Sequence, residues 1–376
     1  MRGSFSRAPA RHIFRKCRAH LSIDKSVIFF TKFVITVCNG LRFTECRLNS
    51  RESLCEGMRV LSSGRTGALM MTAATDARTA PAARNIWGWL KNFLAYGANT
   101  VPNEPRIPFY RHPLLVRLTH WLNAGVLLVM LMSGLQIFNA TPALYWGNQS
   151  NFARPLLSFV AFQNSDGDII RGETHIGTWR FDSTGVLGAS RVDGELVARA
   201  FPYWATLPGP QWLAMGRVWH FFFAWVFVIN GVIFALYAFT RGHFRDLAPT
   251  GRDIANLPHE IVEHARLRFP RGDAARRYNA LQKLAYFTVI FILGPLVVLT
   301  GLTMSPTVDA AYHFLPWIFG GRQSARTIHF ICAFSFLGFF IIHMIMVFLS
   351  GTWNNVRSMI TGRYRIEATP QGRAHA

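Results

Sequence analysis

The sequence predicts an all-α membrane protein, a four-transmembrane-helix bundle with a long ordered outer loop, residues 139–217, between its first two helices. Three observations carry that reading. Of the 376 residues, 51% are hydrophobic and only 16% charged, against about 25% charged in an average soluble domain. Four stretches, 118–138, 218–239, 284–304 and 327–349, contain no Asp, Glu, Lys or Arg, and a helix of about 20 apolar residues crosses the hydrocarbon core of a bilayer. The 40 Lys and Arg outnumber the 19 Asp and Glu to give a net charge of +21. That excess would ordinarily raise nucleic-acid binding, but here it is sorted by membrane side, which argues against a nucleic-acid partner and for membrane lipid.

The sorting sets the orientation. The connection 240–283 carries 9 Arg and Lys and the segment after residue 349 carries 4, while the connection 304–326 carries 2. Cationic segments stay in the cytoplasm, so both termini and the middle connection are expected inside a bacterial inner membrane. The connection 139–217 has 6 Arg and 6 acidic residues and falls on the outer face. Its Ser165-Asp166-Gly167-Asp168, Asp182-Ser183-Thr184-Gly185 and Asp193-Gly194 punctuate short segments such as 177–181, which read as turns and small strands. An ordered outer cap of that size is a place for a partner to dock.

Ahead of the spans, residues 1–70 hold 13 of the 40 cations and four of the five cysteines, Cys17, Cys38, Cys46 and Cys55, in spacings that match no zinc, iron–sulfur or c-type haem pattern. Residues 1–84 read as a basic, disordered extension or as upstream sequence from a mis-assigned start, with Met70 or Met71 as the natural beginning; a basic arm on anionic lipid is the functional alternative. Residues 85–117 form a cytoplasmic interfacial segment: Trp87, Trp89, Phe93 and Tyr96 mark a short helix on the membrane surface, and Pro102, Pro105 and Pro108 then keep the chain extended. The bundle itself occupies 118–349, and 350–376 form a cytoplasmic tail.

Of the 13 histidines, four lie inside the spans: His120, His220, His329 and His343. Ionisable residues are costly there and usually mark function. His120 is the third residue of a stretch that starts inside; His220 and His329 are each third in stretches that start outside. His343 follows His329 by 14 positions, which on a helix is about four turns and about 21 Å, so both lie on one face at opposite leaflets. By depth, His120 pairs with His343 near the inner face and His220 with His329 near the outer. Two imidazoles facing each other between helices form an axial site for haem iron, whereas zinc would want four ligands at one level.

Arg117, Arg217 and Arg326 each stand three residues before one of these histidines, on the same face and one turn nearer the surface. They either pair with haem propionates or snorkel at the membrane edge. Gly125, Gly134, Gly231 and Gly338 either admit a macrocycle or simply pack helices. Phe336, midway between His329 and His343, either fills the gap between haems or is a core aromatic, and Cys332 reads as inert packing.

The segments Arg117-Leu118-Thr119-His120-Trp121-Leu122-Asn123-Ala124, Leu299-Thr300-Gly301-Leu302, Arg326-Thr327-Ile328-His329 and Ile342-His343-Met344 resemble the bacterial cytochrome b561 and nickel-hydrogenase cytochrome b family. The resemblance spans about residues 110–365 and includes the membrane subunits of formate dehydrogenases and thiosulfate-reductase-type molybdenum enzymes. It implies two non-covalent b-type haems, with His120 and His343 on the inner iron and His220 and His329 on the outer. It also implies a quinone site near the inner haem, which His112, His243 and Asn354 flank. The outer connection is longer than in a minimal member and resembles the form paired with a periplasmic molybdopterin oxidoreductase.

The expected function is therefore that of a respiratory electron-transfer subunit between the quinone pool and an extracytoplasmic oxidoreductase, without substrate chemistry of its own outside the membrane. The rival is a haem-free transporter or channel subunit using the histidines as a proton relay; the spans contain no Asp or Glu and no inverted repeat to favour it. A ferric-reductase-type enzyme would need a dinucleotide fingerprint that no strand here precedes.

Overall fold

The computed structural model describes residues 86–98, 105–209, 211–270 and 275–367. The chain divides into two units, Met1–Arg78 and Thr79–Ala376, and every described residue belongs to the second. The expectations for residues 1–84 lie outside the described residues.

In chain order come α1 (Ile86–Tyr96), β1 (Arg106–Tyr110) and the long helix α2 (Leu114–Phe138). Six strands follow: β2 (Ala143–Leu144), β3 (Leu157–Gln163), β4 (Ile169–Ile176), β5 (Trp179–Asp182), β6 (Gly188–Val192) and β7 (Glu195–Arg199). Then come α3 (Leu213–Thr240), α4 (His243–Leu247), α5 (Gly251–Ala265), α6 (Ala280–Thr303), α7 (Pro306–Ala311), α8 (Phe314–Ile318), α9 (Arg322–Leu349), α10 (Thr352–Thr361) and β8 (Arg363–Glu367). The protein is mostly helical rather than all-α, because the connection after α2 is built from strands.

Four helices, α2, α3, α6 and α9, are long and apolar enough to cross a membrane. Each begins earlier than its uncharged stretch, since Arg117, Arg217, Lys283 and Arg326 sit inside the first turns rather than before them. The long aliphatic stems of such residues let a helix continue while the charge reaches the interface. Within α6 the segment Thr288–Leu293 widens to a π-helix just before Gly294-Pro295. Pro295 donates no N–H and its ring crowds the carbonyl one turn back, so the ladder relaxes there. The helices pack as neighbours in two pairs, α2 with α3 and α6 with α9. Buried Asn230 of α3 ties the first pair by donating to the Thr119 carbonyl at 3.0 Å and to Asn123 Oδ1 at 2.6 Å.

The strands after α2 form a four-stranded antiparallel sheet in the order β2-β3-β4-β5 and a β6–β7 hairpin. That hairpin turns at Asp193 and Gly194, with φ of 50° and 94°, the left-handed pair that a two-residue hairpin turn requires. An aromatic cluster roots this cap in the bundle: Phe138 at the end of α2 packs on Phe159, Phe201 and Phe330, with ring centroids 5.0–6.0 Å apart. Beside it Arg199 is buried, donating to Gln136 Oε1, Thr206 Oγ1 and the carbonyls of Phe201 and Gly209. Burial pushes its pKa down, and four acceptors around one guanidinium offset the desolvation of a charge that no described carboxylate balances. Thr327 of α9 donates to the Tyr145 carbonyl and Ser324 accepts from the Gly147 N–H, so the cap is bolted to α9 as well as α2.

At the opposite end, β1 pairs antiparallel with β8 from Arg106↔Glu367 to Tyr110↔Arg363, so the segments before α2 and after α9 lie on one side. Residues 352–367 thus fold back rather than trailing as a tail. The α1 helix expected from its aromatics is present, with Trp87 and Trp89 exposed and Phe93 against Phe348. Gly97 and Gly351, both at positive φ, let the two backbones cross: a Cβ on either would lie 2.5 Å from the other strand's main chain. On the same side, Glu260 of α5 accepts from the Ala280 and Leu281 N–H groups at 3.1 and 3.0 Å, placing a carboxylate on the positive end of α6.

Candidate functional site

The four span histidines form two facing pairs. The rings of His120 (α2) and His343 (α9) have centroids 6.3 Å apart, and those of His220 (α3) and His329 (α9) 6.2 Å apart. The continuous helix α9 carries one member of each pair, and its 1.5 Å rise separates the two levels by about 21 Å. Rings about 1.1 Å in radius joined through one metal by bonds of about 2 Å would stand about 6 Å centre to centre, so both separations suit two imidazoles on a shared iron.

The pair nearer the strand cap, called outer after its expected side, is held from behind by a repeated device. His220 Nδ1 lies 3.1 Å from the Met130 carbonyl and 3.1 Å from Ser133 Oγ, both on α2. His329 Nδ1 lies 2.9 Å from the Val297 carbonyl and 3.2 Å from Thr300 Oγ1, both on α6. A carbonyl only accepts, so each Nδ1 carries the proton and each Nε2 keeps its lone pair for a metal. The next residue is glycine in both places, and a Cβ on Gly134 or Gly301 would stand 3.3 Å from the Cε1 of the ring it faces. Gly134 therefore makes room for a histidine, a third role beside the two read from the sequence. Gly231 and Gly338 differ: no atom lies within 4 Å of a Cβ built there, so helix packing does not require them.

The inner pair is held differently. Among the described residues His120 Nδ1 is buried with no hydrogen-bond partner; His343 stacks on Phe339 at 5.7 Å, and Trp121 beside His120 donates to the Met359 carbonyl of α10 at 3.1 Å. Phe336, between the levels on α9, packs edge-on to Phe227 of α3 at 6.4 Å. Cys332 is buried and reduced.

The three arginines stand at the helix ends, and no described carboxylate pairs with them. Arg117 donates to the Ile360 carbonyl, and its buried Nε has no partner among the described residues. Arg217 lies over the Phe221 ring at 5.7 Å. Arg326 donates to the Thr141 carbonyl at 2.5 Å and lines a cavity of about 360 Å³ together with Arg322, Gln323, Asn148 and Met304. The sequence did not single out Arg322, whose guanidinium donates to the Met304 carbonyl at 2.6 Å.

Of the three residues flanking the inner level, His112 and His243 lie close enough to interact electrostatically. Burial, with Arg111 beside it, pushes the His112 pKa down to about 3, so its ring is neutral. His243 Nδ1 stands 3.3 Å from Asp246 Oδ2 and its ring packs on Phe234 and Tyr237. Asn354 does not join them: its amide brackets the Arg365 backbone, donating at 2.9 Å and accepting at 3.0 Å, which is a structural role in holding β8.

The family model of prokaryotic cytochrome b561 matches residues 111–362, about two thirds of the chain. The chain belongs to the prokaryotic cytochrome b561 family. It is accordingly a multi-pass membrane cytochrome, a haem-containing electron-transfer subunit. A similar protein is the "Putative protein-methionine-sulfoxide reductase subunit YedZ1" of Azospira oryzae, 24% identical over 240 residues, which are 63% of this chain and 90% of that one. The matched segment contains all four histidines of the two facing pairs, each partly buried.

Proposed function

We propose that this cytochrome is the di-haem membrane subunit of a respiratory oxidoreductase, moving electrons between the quinone pool and an extracytoplasmic catalytic partner of the molybdopterin type. The observation that carries it is the pair of imidazole separations, 6.3 and 6.2 Å, set at two levels of one helix. His120 with His343 would hold the inner haem and His220 with His329 the outer, each without covalent attachment. Haem iron, when bound, supplies one-electron exchange.

The chain's own residues supply position and environment. Ser133, Thr300 and the Met130 and Val297 carbonyls fix the outer rings; Arg117, Arg217 and Arg326 stand where carboxylates reaching toward each surface would meet cations. His112 and His243, beside the inner pair, offer a neutral imidazole and an Asp246-paired one to a quinone head group. Cation sorting supports an inner pair near the cytoplasmic face of a bacterial inner membrane, with α5 and both ends of the described chain in the cytoplasm and the strand cap outside, as a long ordered outer loop. The similarity to a subunit of a methionine-sulfoxide reductase supports a catalytic partner on that outer side. A reduced-minus-oxidised visible spectrum of the purified chain with a haem count tests the reading. Two haems per chain are expected, and a featureless spectrum would contradict it.

A further inference from the structure

Ser133 and Thr300 stand at matching places on α2 and α6, and each is followed by the glycine against which an outer histidine lies. Their hydroxyl hydrogens are committed to their own helices. Ser133 Oγ donates to the Met130 carbonyl at 3.2 Å, and Thr300 Oγ1 to the Leu296 and Val297 carbonyls at 2.7 and 3.1 Å. With its one hydrogen turned away, each oxygen presents a lone pair to the ring. The Nδ1–H of His220 and that of His329 therefore each meet two acceptors, a carbonyl and a hydroxyl oxygen, on the face away from the partner ring.

The inner pair lacks this arrangement. Among the described residues neither His120 nor His343 makes a hydrogen bond through its ring. Acceptors on the distal nitrogen of a ligating imidazole raise its basicity, and a more basic ligand favours the oxidised iron.

We infer that Ser133 and Thr300 are redox-positioning residues that hold the outer haem at a lower midpoint potential than its ligands alone would give. This rests on the reading of His220 and His329 as its ligands. Gly134 and Gly301 serve the same device, since they let the rings approach the hydroxyls.

The test is a potentiometric titration of the full-length holoprotein in detergent, followed by visible spectra and by the electron paramagnetic resonance of the ferric state. The outer component is defined as the one missing from His329→Leu. Ser133→Ala and Thr300→Val should each raise the midpoint of that component and shift its ferric g values, and the double variant should raise it further. Thr300→Ser, which keeps the hydroxyl, should restore the wild-type potential, and the inner component should not move. An unchanged or lowered outer potential would overturn the inference. So would an equal shift in Thr300→Ser, a shift confined to the inner component, or loss of the outer haem from both hydroxyl-free variants, which would make the hydroxyls determinants of retention instead. If His329→Leu keeps both components with full haem content, the ligand assignment itself falls, a result distinct from a potential that fails to move.

Discussion

His220 and His329 face each other at 6.2 Å as the eighth residues of two 28-residue helices, and each rests on a hydroxyl-glycine step of the helix before it. The bundle is thus two similar hairpins, α2–α3 and α6–α9, each contributing one outer ring. The inner pair breaks the similarity, because its rings come from the first helix of one hairpin and the second helix of the other.

The glycines give the first prediction. Gly301→Ala or Gly134→Ala places a methyl 3.3 Å from an imidazole carbon, closer than ordinary packing, so the ring must shift by a few tenths of an ångström. Outer-haem occupancy should fall several-fold in each while the inner component persists, as read by haem content and the α-band; equal loss of both components would contradict it.

A second prediction concerns Arg199. Arg199→Met keeps bulk but removes the donor that Gln136, Thr206 and two carbonyls share, and losing a buried hydrogen bond to a charged group costs about 1.5–3 kcal/mol before relaxation. The cap should become sensitive to protease at concentrations that leave the wild-type cap intact, with the spans still inserted. An unchanged digestion pattern would show that the Phe138 cluster suffices alone.

The junction of α5 with α6 should respond to acid. Asp253 accepts from the Thr250 N–H and hydroxyl and from Lys283, which hold its carboxyl down to about 2 from 3.8. A depressed folded value means the contribution is complete above about 4 and is lost as pH falls toward 2. Asp253→Asn should lower thermal stability near neutrality by about 0.3–1 kcal/mol, the usual worth of a carboxylate in the first turn of a helix, and should remove that part of the acid dependence. A variant as acid-sensitive as wild type would locate the titration elsewhere.

Orientation is open to labelling. Single cysteines at Ser165 in the β3–β4 turn and at Thr250 before α5 should differ toward an impermeant thiol reagent on intact cells, Ser165→Cys reacting and Thr250→Cys not. The reverse pattern would invert the topology.

Much of this was legible in the sequence because the membrane imposes simple rules. Absence of charge located four helices, and the 14-residue interval between His329 and His343 put both rings on one face. Helix starts were misplaced by several residues because a charge count stops at Arg117 or Arg326, whereas the backbone continues past them. The turns at Asp193-Gly194 and Gly185 were readable from residue type, as both glycines adopt positive φ. The register of the cap was not, since strand pairing depends on partners distant in sequence. The contacts of Ser133 and Thr300 with the histidines were not legible for a similar reason: a hydroxyl in an apolar helix usually bonds its own backbone. Only the repetition of a hydroxyl-Gly-Leu step on the first and third spans marked them. The bond that Asn354 makes to β8 was not legible either, because it depends on the fold.

The most direct measurement is the optical and potentiometric spectrum of four purified variants, His120→Leu, His343→Leu, His220→Leu and His329→Leu, with haem counted per chain. His329 and His343 share one helix but lie about 21 Å apart, too far to bind one iron, so each must pair across helices at its own depth. The expected result is that His120→Leu and His343→Leu lose one and the same component, His220→Leu and His329→Leu lose the other, and each variant keeps one haem. Loss of a common component by His120→Leu and His329→Leu would contradict the pairing, and a full haem complement in all four would contradict the di-haem site.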